Sequence, residues 1–71
     1  MINPNKVFVV IHSMVHGISI VSIHLLKENA VISAQKLVNK SSNYVLCGEN
    51  KWRIPFDIDK NEVYVRQYDL K

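Results

Sequence analysis

The order of apolar and polar positions along the chain predicts two strands, one helix and then three more strands. Apolar side chains form a nearly unbroken run over Lys6–His12 and a second run over Ile18–Leu26, as expected for strands. The segment between them, Ser13–Gly17, ends in a glycine that can adopt turn conformations at little cost. We therefore expect a β-hairpin that follows a polar lead-in over residues 1–5.

The alternation within the second run changes phase near its middle. Ile18 and Ile20 lie on one face of an ideal strand. The apolar residues that follow, Val21, Ile23 and Leu25, lie on the other face. Because one extra residue resets the alternation, we expect a β-bulge near Ile20-Val21 that points both sets towards one core.

Helical spacing replaces strand alternation over Asn29–Asn39. Glu28 stands at the start of this segment and Lys36 near its end, each with the charge that the helix dipole favours there. We predict one amphipathic helix that packs against the sheet through a single apolar stripe. The residues of the stripe are Ala30, Val31, Ala34, Leu37 and Val38.

Three further segments predict the rest of the sheet: Tyr44–Cys47, Trp52–Phe56 and Glu62–Leu70. Because Pro55 lacks a backbone N–H, the middle segment is expected to lie at a sheet edge or to end there. The order β-β-α-β-β-β predicts a single small α+β domain over residues 1–71, an antiparallel sheet with one helix packed on one face.

Composition agrees with a sheet-rich fold and limits its size. Val and Ile supply 18 of the 71 residues, and their branched side chains favour pleated surfaces. A chain of this length has a small core. Because 48% of its residues are nevertheless hydrophobic, we expect more apolar surface than one helix can cover.

Charge and cysteine content restrict the partners and the compartment. The formal net charge of +3 is not concentrated in a basic tract, so nucleic acid is not an expected partner. The single cysteine, Cys47, excludes an internal disulfide and fits a reducing compartment, which predicts a cytoplasmic protein. Since Cys47 stands on an apolar segment without a neighbouring cation, we expect its thiol to be buried and inert.

The charge-free run Val7–Leu26 permits a second interpretation. About 20 apolar residues are enough to cross a bilayer as a helix. However, the run also contains three histidines, three serines and Gly17, and it is dense in branched residues. We therefore favour the hairpin and expect no membrane association.

The three histidines do not predict a metal site. If His12 faces Gly17 across the hairpin, His24 lies about 23 Å from His12 along the strand pair. His12 and His16 alone make an incomplete ligand set. We expect these histidines to be polar residues that flank the turn.

The pattern Asp57-x-Asp59-x-Asn61 opens like a calcium-binding loop. Glu62 and Tyr68 stand where such a loop needs Gly and a bidentate Glu, so a solvated turn is the better interpretation. The chain also lacks a glycine-rich phosphate loop and paired carboxylates at catalytic spacing. We expect no catalytic residues, no cofactor and no metal, and hence no enzyme.

The last predicted strand has two chemically different faces. Val63 and Val65 occupy one face, and polar and aromatic side chains alternate with them on the other. Tyr and Arg are frequent among residues that dominate protein interfaces. The same aromatic residues could instead pack across neighbouring strands or stack on unpaired bases. Our candidate partner-binding residues are Trp52, which would extend the patch, and Glu62, Tyr64, Arg66 and Tyr68.

Short motifs in residues 6–40 are shared with a known group of proteins. These motifs are Val-Phe-Val-Val-Ile-His over residues 7–12, His16-Gly17, and the spaced alanines Ala30 and Ala34. In them the chain resembles short α+β accessory proteins of phages and mobile elements, and Val63-Tyr64-Val65 is weakly similar as well. The resemblance implies stoichiometric binding of a host or rival protein, in some members as an antitoxin-like inhibitor. It transfers no active site.

The leading hypothesis is a non-enzymatic protein that binds a host or mobile-element protein. Two alternatives stay open. A homodimer could form by pairing of edge strands. Weak nucleic-acid binding is the other alternative, although the modest charge counts against it.

Overall fold

The computed structural model describes residues 5–41 and 43–70, so most of the predicted lead-in lies outside the described residues. Within them the chain forms one five-stranded antiparallel sheet and one helix. The predicted α+β class and the element order β-β-α-β-β-β are confirmed. The elements are β1 (Lys6–Met14), β2 (Gly17–His24), α1 (Lys27–Val38), β3 (Val45–Gly48), β4 (Lys51–Arg53) and β5 (Glu62–Asp69).

The strands lie in the order β2-β1-β5-β4-β3. The last strand, β5, pairs with β1 along its whole length, from Lys6 opposite Asp69 to Ser13 opposite Glu62. The most apolar strand is therefore flanked on both sides, as its continuous hydrophobic run predicts. β4 ends at Arg53, two residues before Pro55, and β3 forms the outer strand beside it.

The turn between β1 and β2 is tighter than predicted. Met14 pairs with Gly17, so the turn contains only residues 15 and 16 instead of the predicted segment 13–17. Two-residue connections are the commonest in β-hairpins, because the turn types they favour match the right-handed twist of the strands. Gly17 closes the turn with a φ of 152°, a conformation that residues with side chains rarely adopt.

β2 contains the predicted bulge. Ser22 pairs with Val10 and Ile20 pairs with Ile11, which leaves Val21 without a partner on β1. Since the extra residue resets the alternation, apolar residues on both sides of the bulge share one face of the sheet.

The helix α1 covers one face of the sheet. Its predicted stripe is buried at Ala30, Ala34 and Val38, and these residues pack with Val10 and Val63 of the sheet. The two alanines are small, which lets the helix approach the strands closely. Around this core pack the partly buried residues Phe8, Leu37, Tyr44, Trp52 and Val65.

Candidate functional site

The sheet face opposite α1 has no covering element among the described residues. On β1 this face carries Val9 and Ile11, whereas Val10 between them packs with the helix. Directly paired residues share a face of a sheet, so the register assigns residues of β2 and β5 to this side as well. We call this surface the open face. Its central residues are Val9, Ile11, Ile18, Ile20, Ile23, Tyr64, Arg66 and Tyr68.

Three isoleucines form the β2 side of the open face. Ile18, Ile20 and Ile23 expose 66%, 65% and 61% of their surface, and we call them the isoleucine strip. A regular strand would place Ile20 and Ile23 on opposite faces, and the bulge at Val21 brings them together. The bulge itself is confirmed, but the prediction that it points these residues into the core is wrong. The reason is that α1 lies on the other face.

Two residues of β1 on the open face are nevertheless buried. Val9 and Ile11 expose only 5% and 4% of their surface. The register places each of them between an isoleucine of β2 and a long side chain of β5, Arg66 or Tyr64. These neighbouring side chains shield Val9 and Ile11 from water on both sides. The side chains of β2, β1 and β5 therefore form one continuous surface on the open face.

The β5 side of the open face is aromatic and cationic. Tyr64, Arg66 and Tyr68 alternate along β5, and we call them the tyrosine–arginine strip. The Arg66 guanidinium lies 5.8 Å from the centre of the Tyr68 ring, and Nζ of Lys51 lies 6.0 Å from the centre of the Tyr64 ring. Both distances are within the range of cation–π attraction. These contacts align the long side chains over the sheet.

The structure divides the five predicted partner-binding residues between the two faces. Trp52 pairs with Val63 and packs against the core that the helix covers. The prediction that Trp52 extends the exposed patch is therefore wrong. It depended on the pairing of β4 with β5, which no local pattern reveals. The other four residues share the open face, as their alternation predicts: Glu62, Tyr64, Arg66 and Tyr68.

Cations outnumber carboxylates on the open face. Lys51 and Arg53 of β4 pair with Tyr64 and Glu62, so their side chains join Arg66 on this side. Nζ of Lys51 and a carboxylate oxygen of Glu62 are 3.9 Å apart. One carboxylate against three cations leaves two positive charges unbalanced on the β4–β5 side of the open face, across β1 from the isoleucine strip. Such a surface complements an apolar patch that carries acidic residues along one side.

The loop between β4 and β5, residues 54–61, is organised by one carboxylate. Asp57 accepts a hydrogen bond from the backbone N–H of Asp59 at 3.1 Å. It also accepts from the backbone N–H and the side-chain amide of Asn61, at 3.0 and 2.7 Å. These bonds, above all the one from the Asn61 side chain, lower the pKa of Asp57. The Asp57-x-Asp59-x-Asn61 pattern thus stabilises the turn in which it stands.

The same loop exposes two large apolar side chains, Phe56 and Ile58, at the end of the sheet. Phe56 has a φ of 58°, which is rare for a bulky residue. The loop also contacts the β1–β2 turn, because the backbone N–H of Val15 donates to the carbonyl of Asp59 at 2.8 Å. This exposure was not predictable from the sequence, because the strand predicted over Trp52–Phe56 ends at Arg53 and leaves Phe56 in the loop.

Two of the histidines form separate hydrogen bonds. His12 donates from Nε2 to Oδ1 of Asn61 at 2.8 Å, and Nε2 of His24 is hydrogen-bonded to Oγ of Ser22 at 2.9 Å. The hydroxyl of Ser22 also lies 3.0 Å from that of Ser33, which connects β2 to α1. Across residues 5–41 and 43–70, no group of three His, Cys, Asp or Glu side chains could hold a metal ion.

The thiol of Cys47 is exposed, contrary to the prediction of a buried thiol. β3 is an outer strand of the sheet. Its register with β4 slips between Leu46 and Gly48, so Cys47 is the unpaired residue of an irregular edge. An edge strand that lies beyond the reach of the helix does not bury its apolar side chains.

Comparison of the chain with protein-family models, curated proteins and solved structures finds no match. The resemblance of residues 6–40 to phage and mobile-element proteins therefore stays a prediction. In the described part of the chain, no helix has the length and apolar character needed to cross a membrane. The charge-free run Val7–Leu26 instead supplies most of the β1–β2 hairpin, as expected.

Proposed function

We propose that the protein acts by stoichiometric binding of another protein through the open face. The observation that carries this proposal is that the isoleucine strip and the tyrosine–arginine strip flank Val9 and Ile11 of β1 on a face that α1 leaves uncovered. Aliphatic side chains supply apolar area that binding removes from water. Tyr and Arg supply the contacts that most often dominate binding free energy. The resemblance of residues 6–40 supports a host or mobile-element protein as the partner, inhibited by the complex.

The charges of the open face support a partner of defined chemistry. Lys51, Arg53 and Arg66 lie on one side of the isoleucine strip, with Glu62 as their carboxylate. A partner with an apolar patch opposite the isoleucine strip and acidic residues opposite the three cations would complement both sides of the open face. A second copy stacked face to face would mainly bring further cations, so a different protein fits better.

The exposed thiol of Cys47 supports a cytoplasmic location for this binding. An accessible free cysteine persists in a reducing compartment and is oxidised outside it. We therefore propose the cytoplasm, of the host cell if the protein is viral.

A nucleic acid is the less suitable ligand for the open face. Tyr64 and Tyr68 could stack on bases and the nearby cations could contact phosphates. However, the isoleucine strip forms half of the surface and offers neither stacking nor charge. Burial of such a strip requires an apolar partner surface.

The test compares two double variants of matched chemistry. Ile20→Ser with Arg66→Glu alters the open face, and Ile32→Ser with Lys36→Glu makes the same changes on exposed positions of α1. Partners captured from the native cell in high salt are identified, purified and titrated by calorimetry. We expect 1:1 binding, unchanged for the helix variant and weakened at least about 100-fold for the open-face variant.

Two results would overturn the proposal. Equal loss of affinity in both double variants would move the binding surface away from the open face. Capture that nuclease treatment abolishes, with affinity falling steeply as salt rises, would identify a nucleic-acid ligand instead.

A further inference from the structure

We infer that β2 pairs with the β2 strand of a second copy of this chain to form a symmetric dimer. The pairing would join two five-stranded sheets edge to edge. The open faces of both copies would stay accessible, side by side, so this inference does not rest on the proposed function.

β2 is a long edge strand that lacks most of the usual protection against pairing. Natural edge strands are blunted by short length, by charged residues, by proline or by bulges. Gly17–His24 has eight residues and contains no Lys, Arg, Asp, Glu or Pro. Its bulge at Val21 lies beyond the middle of the strand, which leaves Gly17–Ile20 regular and paired only with β1.

The other edge of the sheet is protected. β3 spans only Val45–Gly48, and its register slips within those four residues. A strand this short and irregular offers few aligned backbone groups to a neighbour. The contrast selects β2 as the pairing edge.

The proposed register places the two-fold axis of the dimer at Ser19. Residues equidistant from the axis face each other in an antiparallel pair, so Ile18 of one copy lies opposite Ile20 of the second. Both isoleucines belong to the open face, so two adjacent isoleucine contacts would form across the junction. The Ser19 side chains point to the opposite face and meet at the axis. No charged residue is brought into a cross-strand pair, although each chain carries a net charge of +3.

The chain is less compact than a typical monomer of its mass, which leaves surface available for association. A monomer of 8.2 kDa is expected to expose about 4,500 Å², whereas the chain exposes 5261 Å². The chain therefore exposes about 700 Å² more than the scaling gives for a compact monomer of its mass. The radius of gyration of 12.5 Å also exceeds the value of about 11 Å expected for a compact chain of this length.

The test measures the molecular mass in solution of the wild type and of variants that carry a positive or a negative charge at position 19. Sedimentation of the wild type should give a mass near 16.4 kDa, twice the 8.2 kDa of one chain. Ser19→Lys and Ser19→Glu each place like charges opposite each other, which should raise the dimer dissociation constant at least about 100-fold. An equimolar mixture of the two variants should recover a heterodimer. Gln35→Lys and Gln35→Glu add the same charges to an exposed helix position and should leave the mass unchanged.

A covalent probe checks the register. In a Cys47→Ser background, Ser19→Cys should form an intermolecular disulfide, because directly opposed residues of antiparallel strands approach closely enough for one. Lys40→Cys, on the surface after α1, should not cross-link under the same oxidation.

Three outcomes would overturn the inference. The first is a wild type that stays at the mass of one chain throughout the concentration range. The second is a dimer that folded Ser19→Lys protein still forms, which would place the contact elsewhere. The third is a mixture of the Lys and Glu variants that stays monomeric while circular dichroism shows both to be folded.

Discussion

The two faces of the sheet carry similar aliphatic side chains with different fates. Under α1, Val10 and Val63 are completely buried, whereas Ile18 and Ile20 on the open face expose about two thirds of their surface. Complete burial of one such side chain contributes about 1.5–3 kcal/mol. The helix-covered face therefore provides most of the apolar stabilisation of the fold. On the open face, Val9 and Ile11 are shielded by neighbouring strands, but the isoleucines of β2 remain available for association because α1 covers the other face.

The largest expected effect is a loss of stability when one buried valine is replaced by alanine, compared with the same replacement at an exposed valine. Val63→Ala removes buried methyl groups from the core and should lower the free energy of unfolding by about 2–3 kcal/mol. Val45→Ala removes the same atoms from an exposed position on β3 and should change it by less than about 0.5 kcal/mol. Urea unfolding followed by circular dichroism measures both values. Equal losses would show that exposure does not distinguish these sites.

Polar substitution of the isoleucine strip tests whether the exposed isoleucines of the open face contribute less to stability than the buried valines under α1. Ile20→Ser combined with Ile23→Ser should lower the free energy of unfolding by less than about 1 kcal/mol, because both side chains are already exposed. The same protein should bind less of a fluorescent apolar dye than the wild type, since Ile20 and Ile23 contribute exposed apolar surface to one face of the sheet. A loss as large as that of Val63→Ala would mean that the strip is part of the folding core.

The elements that depend on local periodicity were predictable from the sequence. The spacing of Ala30, Ala34 and Val38 fixes the buried side of α1, and strict alternation fixes the two faces of β5. The phase change in β2 located its bulge at Val21. Each of these features follows from side-chain directions within one element, whatever its neighbours are.

The features that depend on pairing between distant segments were not predictable. Trp52 lies on the helix side because β4 pairs with β5 through Val63, and Cys47 is exposed because β3 is the outer strand. The prediction that the isoleucine strip lies in the core is wrong because periodicity shows only that these residues share a face. Which face the helix covers depends on the path of the chain from β2 into α1, and hydrophobic spacing does not encode it.

A pH titration examines a polar part of the molecule, the loop that Asp57 organises. The pKa of Asp57 is lowered in the folded state. Its ionised form therefore contributes stability that is complete above the unfolded pKa, near 3.9, and is lost as the pH falls through the lower folded value. We expect the protection of the Asn61 amide, measured against its intrinsic exchange rate at each pH, to fall on acidification below about pH 4, while the core amides of β1 and β5 change later.

The matched variants for this titration are Asp57→Asn and Asp59→Asn. The first removes the ionisable acceptor, so Asn61 should exchange faster at neutral pH and lose its acid dependence. The second keeps the Asp57 carboxylate that accepts the three hydrogen bonds, so it should behave like the wild type. An unchanged titration in Asp57→Asn would assign the acid sensitivity to another group.

The smallest effect concerns an ion pair that connects the helix-covered side to the outer strands. Nζ of Lys27 lies 3.2 Å from Oε1 of Glu49, with 53% and 83% of the side chains exposed. A pair this exposed contributes about 0.2–0.5 kcal/mol and is weakened by salt. Glu49→Gln should therefore destabilise the protein slightly at low salt and have no effect at about 1 M NaCl.

Lys27→Gln should cost even less than Glu49→Gln, because it also removes a positive charge from the first turn of α1, where the helix dipole disfavours it. A double-mutant cycle between the two positions isolates their coupling, expected to be at most about 0.5 kcal/mol. A larger coupling would mean that charge, as well as apolar packing, determines how α1 is held near the β3–β4 turn.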